Sequence, residues 1–443
     1  MPVPLANALE SAKLPAAHAA FFVQQVDANA PLLSYNAEQA MNPASTMKLV
    51  TAYAALDLLG PAYRWKTQVL ADALPRAGRL AGRLAGNLYL KGSGDPSLTV
   101  EQLWMLLRQL RSRGITEIGG DLMLDRSDFQ LPPHDPAAFD NEPLRPYNAG
   151  ADALLVNFNS LRIALLPNIA SRSVNAVIET PVMDFRIDPR IQLSDGPCGD
   201  WREKLTVAIS GKQLVLGGSL AASCGEKTLH LSALPADDHI AQLFSALWQE
   251  LGGTFSGKVS NGTVPAGAHL LLEHSSPSLS EIVFDMNKWS NNVMARQLLL
   301  ALAPSRPASI EAGRRRLESW LNDKGVRGIT IDNGAGLSRE ARLSAAGLGK
   351  LLLAAWKSPV MPELMASLPI AGSDGTLKKR LGDSPAAGRA HLKTGYIEGV
   401  RSIAGYVMDR SGQRWVVVGI LNDAQMKNGS KPLDELVRWV AER

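Results

Sequence analysis

Ser45 and Lys48 stand three positions apart in Ser45-Thr46-Met47-Lys48, the single Ser-x-x-Lys of the 443-residue chain. A serine hydroxyl becomes an effective nucleophile only when a neighbouring group takes its proton. On one helix, residues i and i+3 share a face, so the Lys48 amine can reach the Ser45 hydroxyl. At a helix N-terminus, unbonded N–H groups and the dipole also favour developing negative charge. Lys48 acts as a base only when neutral, which requires its pKa to fall from about 10.4 towards 7. Burial and a second ammonium would move it that way. Lys393-Thr394-Gly395 offers that ammonium, and Ser290-Asn291-Asn292 lies between the two in sequence. Taken alone, Ser-x-x-Lys is a common pattern, Ser290-Asn291-Asn292 reads as a helix cap, and Lys-Thr-Gly as a strand-end turn.

The surrounding elements must bring these segments together. Residues 19–27 are rich in aromatic and β-branched types, turn at Asn29-Ala30-Pro31, and return over 32–35 as an antiparallel hairpin. Pro43-Ala44-Ser45 then opens a helix expected to run to Leu59, stopped by Gly60 with Pro61 beyond. Near the other end, 400–408 and 414–421 form a second hairpin, followed by a closing helix over 432–442. Both ends of the chain thus feed one α/β sandwich with an antiparallel sheet.

The middle has a different texture. Three segments, 107–124, 243–259 and 317–331, share a helix–Gly–strand cadence, with an amphipathic helix over 100–113 leading the first. Residues 163–233 are rich in strands and turns, without a helical pattern. The expected division is a catalytic domain over 1–66 and 270–443. It is interrupted by an α/β insertion (67–162 and 234–269) that carries a nested all-β domain (163–233). A chain this long exceeds what one core usually serves.

Composition excludes several classes. The chain is 46% hydrophobic and 20% charged, with a formal charge of +4. That is ordinary globular usage, and no like-charge block beyond Arg314-Arg315-Arg316 supports nucleic-acid binding. No apolar run approaches the ~20 residues of a membrane-spanning helix. Met1-Pro2-Val3-Pro4 lacks the basic and apolar regions of a signal peptide and reads as a mature start behind an added Met. Cys198 and Cys224 flank a hairpin over 205–216, where either a disulfide or two free thiols fits equally. A bridge would imply an oxidising compartment.

The ordered trio Ser-x-x-Lys, Ser-x-Asn, Lys-Thr-Gly is a signature of β-lactamases and penicillin-binding proteins. The chain resembles low-molecular-mass class C penicillin-binding proteins of the penicillin-binding protein 4 type, which are D-alanyl-D-alanine carboxypeptidases/endopeptidases. The likeness extends over nearly the whole length. It includes Gly92-Ser93-Gly94-Asp95-Pro96-Ser97-Leu98, Asp332-Asn333-Gly334-Ala335-Gly336-Leu337-Ser338-Arg339, and Ala371-Gly372-Ser373-Asp374-Gly375-Thr376-Leu377. The 245 positions from Ser45 to Ser290 match the large insertion that separates this family from its relatives. The resemblance implies a transpeptidase-like catalytic domain plus two inserted domains.

It also implies roles. Ser45 would form the acyl-enzyme on the penultimate D-Ala carbonyl, and Lys48 would take its proton. Ser290 would pass a proton to the departing D-Ala amine, while Asn292 would hold the peptide amide and Lys48. Lys393 and Thr394 would bind the terminal carboxylate. The backbone N–H groups of Ser45 and of Tyr396, just past Gly395, would form the oxyanion hole. No cofactor or metal is implied. The partners would be peptidoglycan stem peptides and β-lactam antibiotics, and the location periplasmic. For the free end of a diaminopimelyl side chain, the family pattern calls for a basic residue, here Arg339. It also calls for a polar residue three past the Lys-Thr-Gly glycine and an acid in the insertion. The chain departs twice: Glu398 stands where an amide is familiar, and the acid's position aligns with Asn157, with Asp152 nearby. Either the negative charge has moved to Glu398 or Glu398 is a solvated rim residue; the sequence does not choose.

Other readings fare worse. No His-Glu-x-x-His occurs for a zinc peptidase, no Gly-x-Ser-x-Gly for an α/β-hydrolase, and no P-loop. His391 shares a strand face with Lys393 by period-2 spacing and reads as a packed or rim residue. A class A β-lactamase is disfavoured by the length, by Asn291 in place of Asp, and by the lack of a recognisable deacylation glutamate. A non-catalytic cell-wall scaffold is the remaining alternative.

Overall fold

The computed structural model describes residues 1–73, 82–426 and 429–443. The chain gathers into two compact units. One comprises Met1–Arg64, Phe129–Pro132 and Pro277–Arg443; the other comprises Trp65–Asp128 and Pro133–Ser276.

The first unit is built on a five-stranded antiparallel sheet. Numbered in chain order within this unit, its strands are β1 (Ala19–Gln25), β2 (Leu33–Tyr35), β3 (Ala390–Ile397), β4 (Val400–Met408) and β5 (Arg414–Asn422). Their order across the sheet is β2-β1-β5-β4-β3, so the first and last parts of the chain meet where Ala19 pairs with Leu421. The apolar runs of β1, β4 and β5 are buried almost without alternation, because helices cover both faces of the sheet. Phe21 lies beside Gly419, next to Leu433 and Leu436 of the closing helix α8 (Ser430–Ala441). Phe22 points the opposite way, against Gly349 of α6 (Ala345–Trp356), where a Cβ would come within 2.3 Å of its ring.

Four more helices matter for the site: α2 (Met47–Leu59), α3 (Leu279–Trp289), α4 (Asn292–Ala301) and α5 (Ile310–Asp323). The expected helix from Ser45 begins later. Ala44–Thr46 is a 3-10 turn, and the α-helix starts at Met47. Val3–Ser11 forms α1, a helix absent from the sequence reading, which buries Leu5 and Leu9 one turn apart. The remaining helix of the unit is α7 (Met361–Ser367).

In the second unit, a five-stranded sheet runs in the order Val259–Asn261, Leu122–Asp125, Leu88–Lys91, Lys66–Ala71, His269–Ser275. The helices Val100–Ser112 and Ala236–Glu250 pack on a shared core with Leu103, Leu106, Leu243, Phe244 and Trp248. Two of the three cadence segments behave as expected. After the first helix Gly114 adopts φ +94° and Ile115–Ile118 is a strand; after the second Gly252 adopts φ +74° and Thr254–Phe255 is one. The third, in the first unit, does not: past α5 and Gly325 there is only an isolated bridge between Thr330 and Arg342. Its next residue but one, Asp332, is held by Arg314 of α5 instead of a sheet neighbour.

Strands between Leu161 and Leu231 form a seven-stranded sheet that encloses its own core, including Ile163, Leu165, Leu214, Leu216 and Trp201. Cys198 and Cys224 are joined in a disulfide, with Cα atoms 4.7 Å apart. That decides between the two cysteine readings. Among the described residues, no helix is long and apolar enough to cross a membrane.

Candidate active site

The site is assembled in the first unit from α2, the α3–α4 junction, the loop after α5, and β3. Lys48 lies on the first turn of α2 and is fully buried. Its Nζ lies 2.9 Å from Ser45 Oγ, 2.6 Å from Asn292 Oδ1 and 2.7 Å from the Ala335 carbonyl oxygen. The last two partners can only accept. A neutral amine has two N–H bonds and one lone pair, so those partners take both N–H bonds. The lone pair then faces the Ser45 hydroxyl, the orientation a base needs. Burial holds the Lys48 pKa well below the usual lysine range, and the Lys393 and Arg296 cations add to the effect.

The α3–α4 junction explains how one tripeptide serves both structure and chemistry. Ser290 ends α3 in the left-handed region, at φ +57°. Asn291 caps α4 by accepting from the Met294 N–H at 3.0 Å. The helix-cap reading is therefore correct for the middle residue, while the outer two turn to the lysines. Ser290 Oγ accepts from Lys393 Nζ at 2.8 Å, and Asn292 contacts Lys48.

Lys393 is also fully buried and donates to the Thr394 carbonyl at 2.7 Å. Burial pushes its pKa down to about 7. Two ammonium groups held in one buried site disfavour joint protonation, and burial lowers the pKa of both.

Gly395 is required by proximity. A Cβ there would lie 2.1 Å from Ser402 Oγ, 2.9 Å from the Pro43 carbonyl and 3.0 Å from the Ser45 nitrogen. Only a bare backbone lets β3 come this close to the Ala44–Thr46 turn. Ser402 itself donates to the Pro43 carbonyl at 2.6 Å. Tyr396, next along the strand, is exposed, with the Arg401 guanidinium 3.7 Å from its ring centre.

Sequence reasoning overlooked three contributors. Thr376 pairs its hydroxyl with that of Thr394 at 2.8 Å, and its loop is tied down by Lys288, whose Nζ meets Asp374 Oδ2 at 2.6 Å. The Ala335 carbonyl is presented to Lys48 by Asn333, whose Oδ1 accepts from the Ala335 N–H at 3.0 Å. Arg296, on α4, acts on Lys48 through its charge. The first two lie in segments that carried the family resemblance; a backbone carbonyl leaves no mark of its own in a sequence.

Arg339 and Glu398 are brought together. The Arg339 guanidinium donates to the Glu398 carbonyl at 3.1 Å and lies 3.5 Å from its carboxylate. With His18, Asn422 and Asp423 they line a cavity of about 450 Å³. Asn157 and Asp152 belong to the other unit. There the Asn157 amide donates to the Ser160 carbonyl, and the Asp152 carboxylate pairs with Arg126 at 2.8 Å.

A model of the "D-Ala-D-Ala carboxypeptidase 3 (S13) family" matches residues 3–442. The chain belongs to that family. It is 28% identical over 440 residues to the D-alanyl-D-alanine carboxypeptidase DacB of Haemophilus influenzae, covering 96% of this chain and 91% of that one. It is 30% identical over 433 residues to a D-alanyl-D-alanine carboxypeptidase of an Actinomadura species, covering 91% and 76% of the two chains. Its fold matches the crystal structure of penicillin binding protein 4 (dacB) from H. influenzae with a TM-score of 0.79 over 99% of this chain and 98% of that one, at 28% identity. The likeness to penicillin-binding protein 4 read from the motifs thus holds for the whole fold, and the chain is a member of a serine peptidase family.

Proposed function

We propose that this protein is a serine D,D-peptidase of peptidoglycan, cleaving D-Ala-D-Ala termini, D-Ala–diaminopimelate cross-links, or both. The observation that carries the reading is the three-way coordination of Lys48, which leaves its lone pair to the Ser45 hydroxyl. Ser45 attacks the penultimate D-Ala carbonyl while its proton passes to Lys48. The tetrahedral oxyanion is received by the backbone N–H groups of Ser45 and Tyr396. Ser290, bonded to the Lys393 ammonium, relays a proton to the leaving D-Ala amine. Lys393 and Thr394, with the neighbouring Thr376 hydroxyl, receive the substrate carboxylate. Water then hydrolyses the acyl-enzyme. Atoms balance over the two steps: one C–N bond is exchanged for an ester, and the ester for an acid, with Ser45 regenerated.

β-Lactams would enter by the same attack and remain as the acyl-enzyme. The H. influenzae protein of the same fold has been crystallised in complex with a β-lactam. The disulfide supports a periplasmic location, since such bonds persist in oxidising compartments. We further propose the three-part division expected from sequence, with 163–233 as a nested module, on the strength of its separate core. Arg339 and Glu398 are proposed as a zwitterion reader for the stem-peptide side chain, supported by their shared cavity.

The test is covalent labelling with a fluorescent penicillin, followed by peptide mass analysis. Wild-type protein is expected to carry the label on Ser45, and Ser45→Ala to carry none. Wild-type protein that takes no label would overturn the reading in favour of a scaffold, and rapid turnover of the label in favour of a β-lactamase.

A further inference from the structure

Just before the proposed nucleophile, the backbone takes a conformation that its residue type does not favour. Ala44 sits at φ +45°, fully buried, in the left-handed region that residues with a Cβ usually avoid. Such a residue persists only where its surroundings over-determine it. The surroundings here centre on Asn42, a buried asparagine that neither Ser45 nor Lys48 touches and that the motif reading passed over.

Each polar group of Asn42 is engaged. Its Oδ1 accepts from the Ala44 N–H at 2.9 Å, and its Nδ2 donates to the Ser338 carbonyl at 2.8 Å. Its backbone N–H donates to Asn422 Oδ1 at 2.8 Å, and its carbonyl accepts from Asn422 Nδ2 at 3.0 Å. The Asn422 amide therefore reads the Asn42 backbone as a sheet neighbour would, in a reciprocal two-bond pair. On the other side of the turn, Gly336 (φ +74°) leaves room for the Ala44 carbonyl, which a Cβ would meet at 1.9 Å. The turn is thus tied at once to β5, to the Gly-Leu-Ser loop and, through Ser402, to β4.

We infer that Asn42 and Asn422 form an amide clamp that positions the Ala44–Ser45 turn for acylation. This inference rests on the proposed function, which makes Ser45 the nucleophile and its N–H half of the oxyanion hole. The clamp touches no reacting atom, so both residues are positioning residues. The side chains do two jobs: Asn42 holds Ala44 in the left-handed region, and Asn422 fixes where Asn42 stands. Releasing either lets the turn relax towards an ordinary conformation, which displaces the Ser45 N–H and Oγ relative to Lys48 and β3. Asn422 also lines the cavity shared by Arg339 and Glu398. The clamp therefore joins the stem-peptide pocket to the nucleophile by one pair of side chains.

The experiment is stopped-flow acylation by a penicillin, separating the initial binding constant from the acylation rate constant, with thermal melting alongside. For Asn42→Ala and Asn422→Ala, the acylation rate constant is expected to fall about a hundredfold, the loss that a displacement near 1 Å can produce. Initial binding and the pH midpoint of acylation stay as in wild type, since Lys48 remains buried with Asn292 and the Ala335 carbonyl as partners. Asn42→Ser, which retains an acceptor for an N–H two residues on, should recover part of the rate. A purely structural role would lower the melting temperature and leave the acylation rate constant of the folded protein unchanged, and that result overturns the clamp. If Asn42→Ala does not fold, Asn422→Ala and Asn42→Ser decide the matter by the same readout. Wild-type protein that fails to acylate would instead sink the proposed function.

Discussion

Replacing Asn292 by Asp tests the base directly, because it changes charge at almost constant shape. The Asn292 oxygen is 2.6 Å from Lys48 Nζ, within a fully buried cluster. A carboxylate there stabilises the ammonium, and an opposite charge at this range shifts a pKa by roughly 1–3 units. The sign is fixed: wild-type Lys48 is held well below the usual lysine range, and Asn292→Asp raises it. On the proposal that neutral Lys48 is the base, the acid limb of the acylation profile tracks this pKa. Below the midpoint each unit lowers the neutral fraction about tenfold, so the rate at a fixed acidic pH should drop by about ten to a thousandfold. The fold should survive, since position 292 begins α4, where an acidic residue suits the helix dipole. The assay is the penicillin acylation rate constant from pH 5 to 10, with end-point labelling to count competent sites. An acid limb that stays in place, or moves to lower pH, would refute the assignment of Lys48 as base.

Lys393→Met removes the like charge that acts on Lys48. The residual acylation should therefore show an acid limb at higher pH, together with a rate reduced by loss of the carboxylate and Ser290 contacts. Reducing the Cys198–Cys224 bond, or replacing both cysteines by Ser, should cost about 3 kcal/mol of stability by chain entropy, read as a lower urea midpoint. Penicillin labelling of the folded protein should stay at full stoichiometry. Glu398→Gln should cost at most about 1 kcal/mol of stability, because the Arg339–Glu398 pair is largely exposed. It should raise kcat/KM for diaminopimelate-containing over lysine-containing peptides, since the lysine side chain has only an ammonium to offer. Unchanged discrimination between the two would eliminate the charge-swap reading of Glu398.

Legibility in the sequence divides according to what each residue contributes. Ser45, Lys48, Ser290, Asn292 and Lys393 carry side chains whose types are chemically distinctive, and their order is enough to group them. The structure places their polar atoms within 2.6–2.9 Å of one another in two linked clusters. Ala335 contributes a carbonyl, which any residue carries, so its role is visible only once Asn333 is seen to orient it. Asn42 and Asn422 are 380 positions apart, and no local pattern announces that their amides meet. The sheet strands near the chain's ends were legible because their turns and β-branched runs are local signals. Helix α1 has Pro4 in its first turn, where proline is well tolerated, and buries only Leu5 and Leu9, so its apolar pattern is short. The third cadence segment failed for the opposite reason: the pattern was local and correct in kind, but Arg314 claimed the backbone and carboxylate of Asp332.

The Ser-x-Asn motif shows why the middle residue can vary without changing the chemistry. Asn291 faces its own helix, accepting from Met294, while the flanking side chains reach Lys393 and Lys48. Aspartate and asparagine are close to equal as N-caps, so an Asn at position 291 is a structural equivalent and carries little information about whether an acyl-enzyme is trapped or turned over. The left-handed Ser290 then has a definite purpose. With the extended Asn291 it separates two helices, so that one short segment presents a hydroxyl to one lysine and an amide to the other. A Ser290→Gly variant should preserve this backbone at no steric cost while deleting the hydroxyl. Its turnover of D-Ala-D-Ala peptides should fall through loss of the proton relay, with melting temperature and the Lys48 pH midpoint unchanged. Turnover equal to wild type would show that Ser290 only shapes the junction.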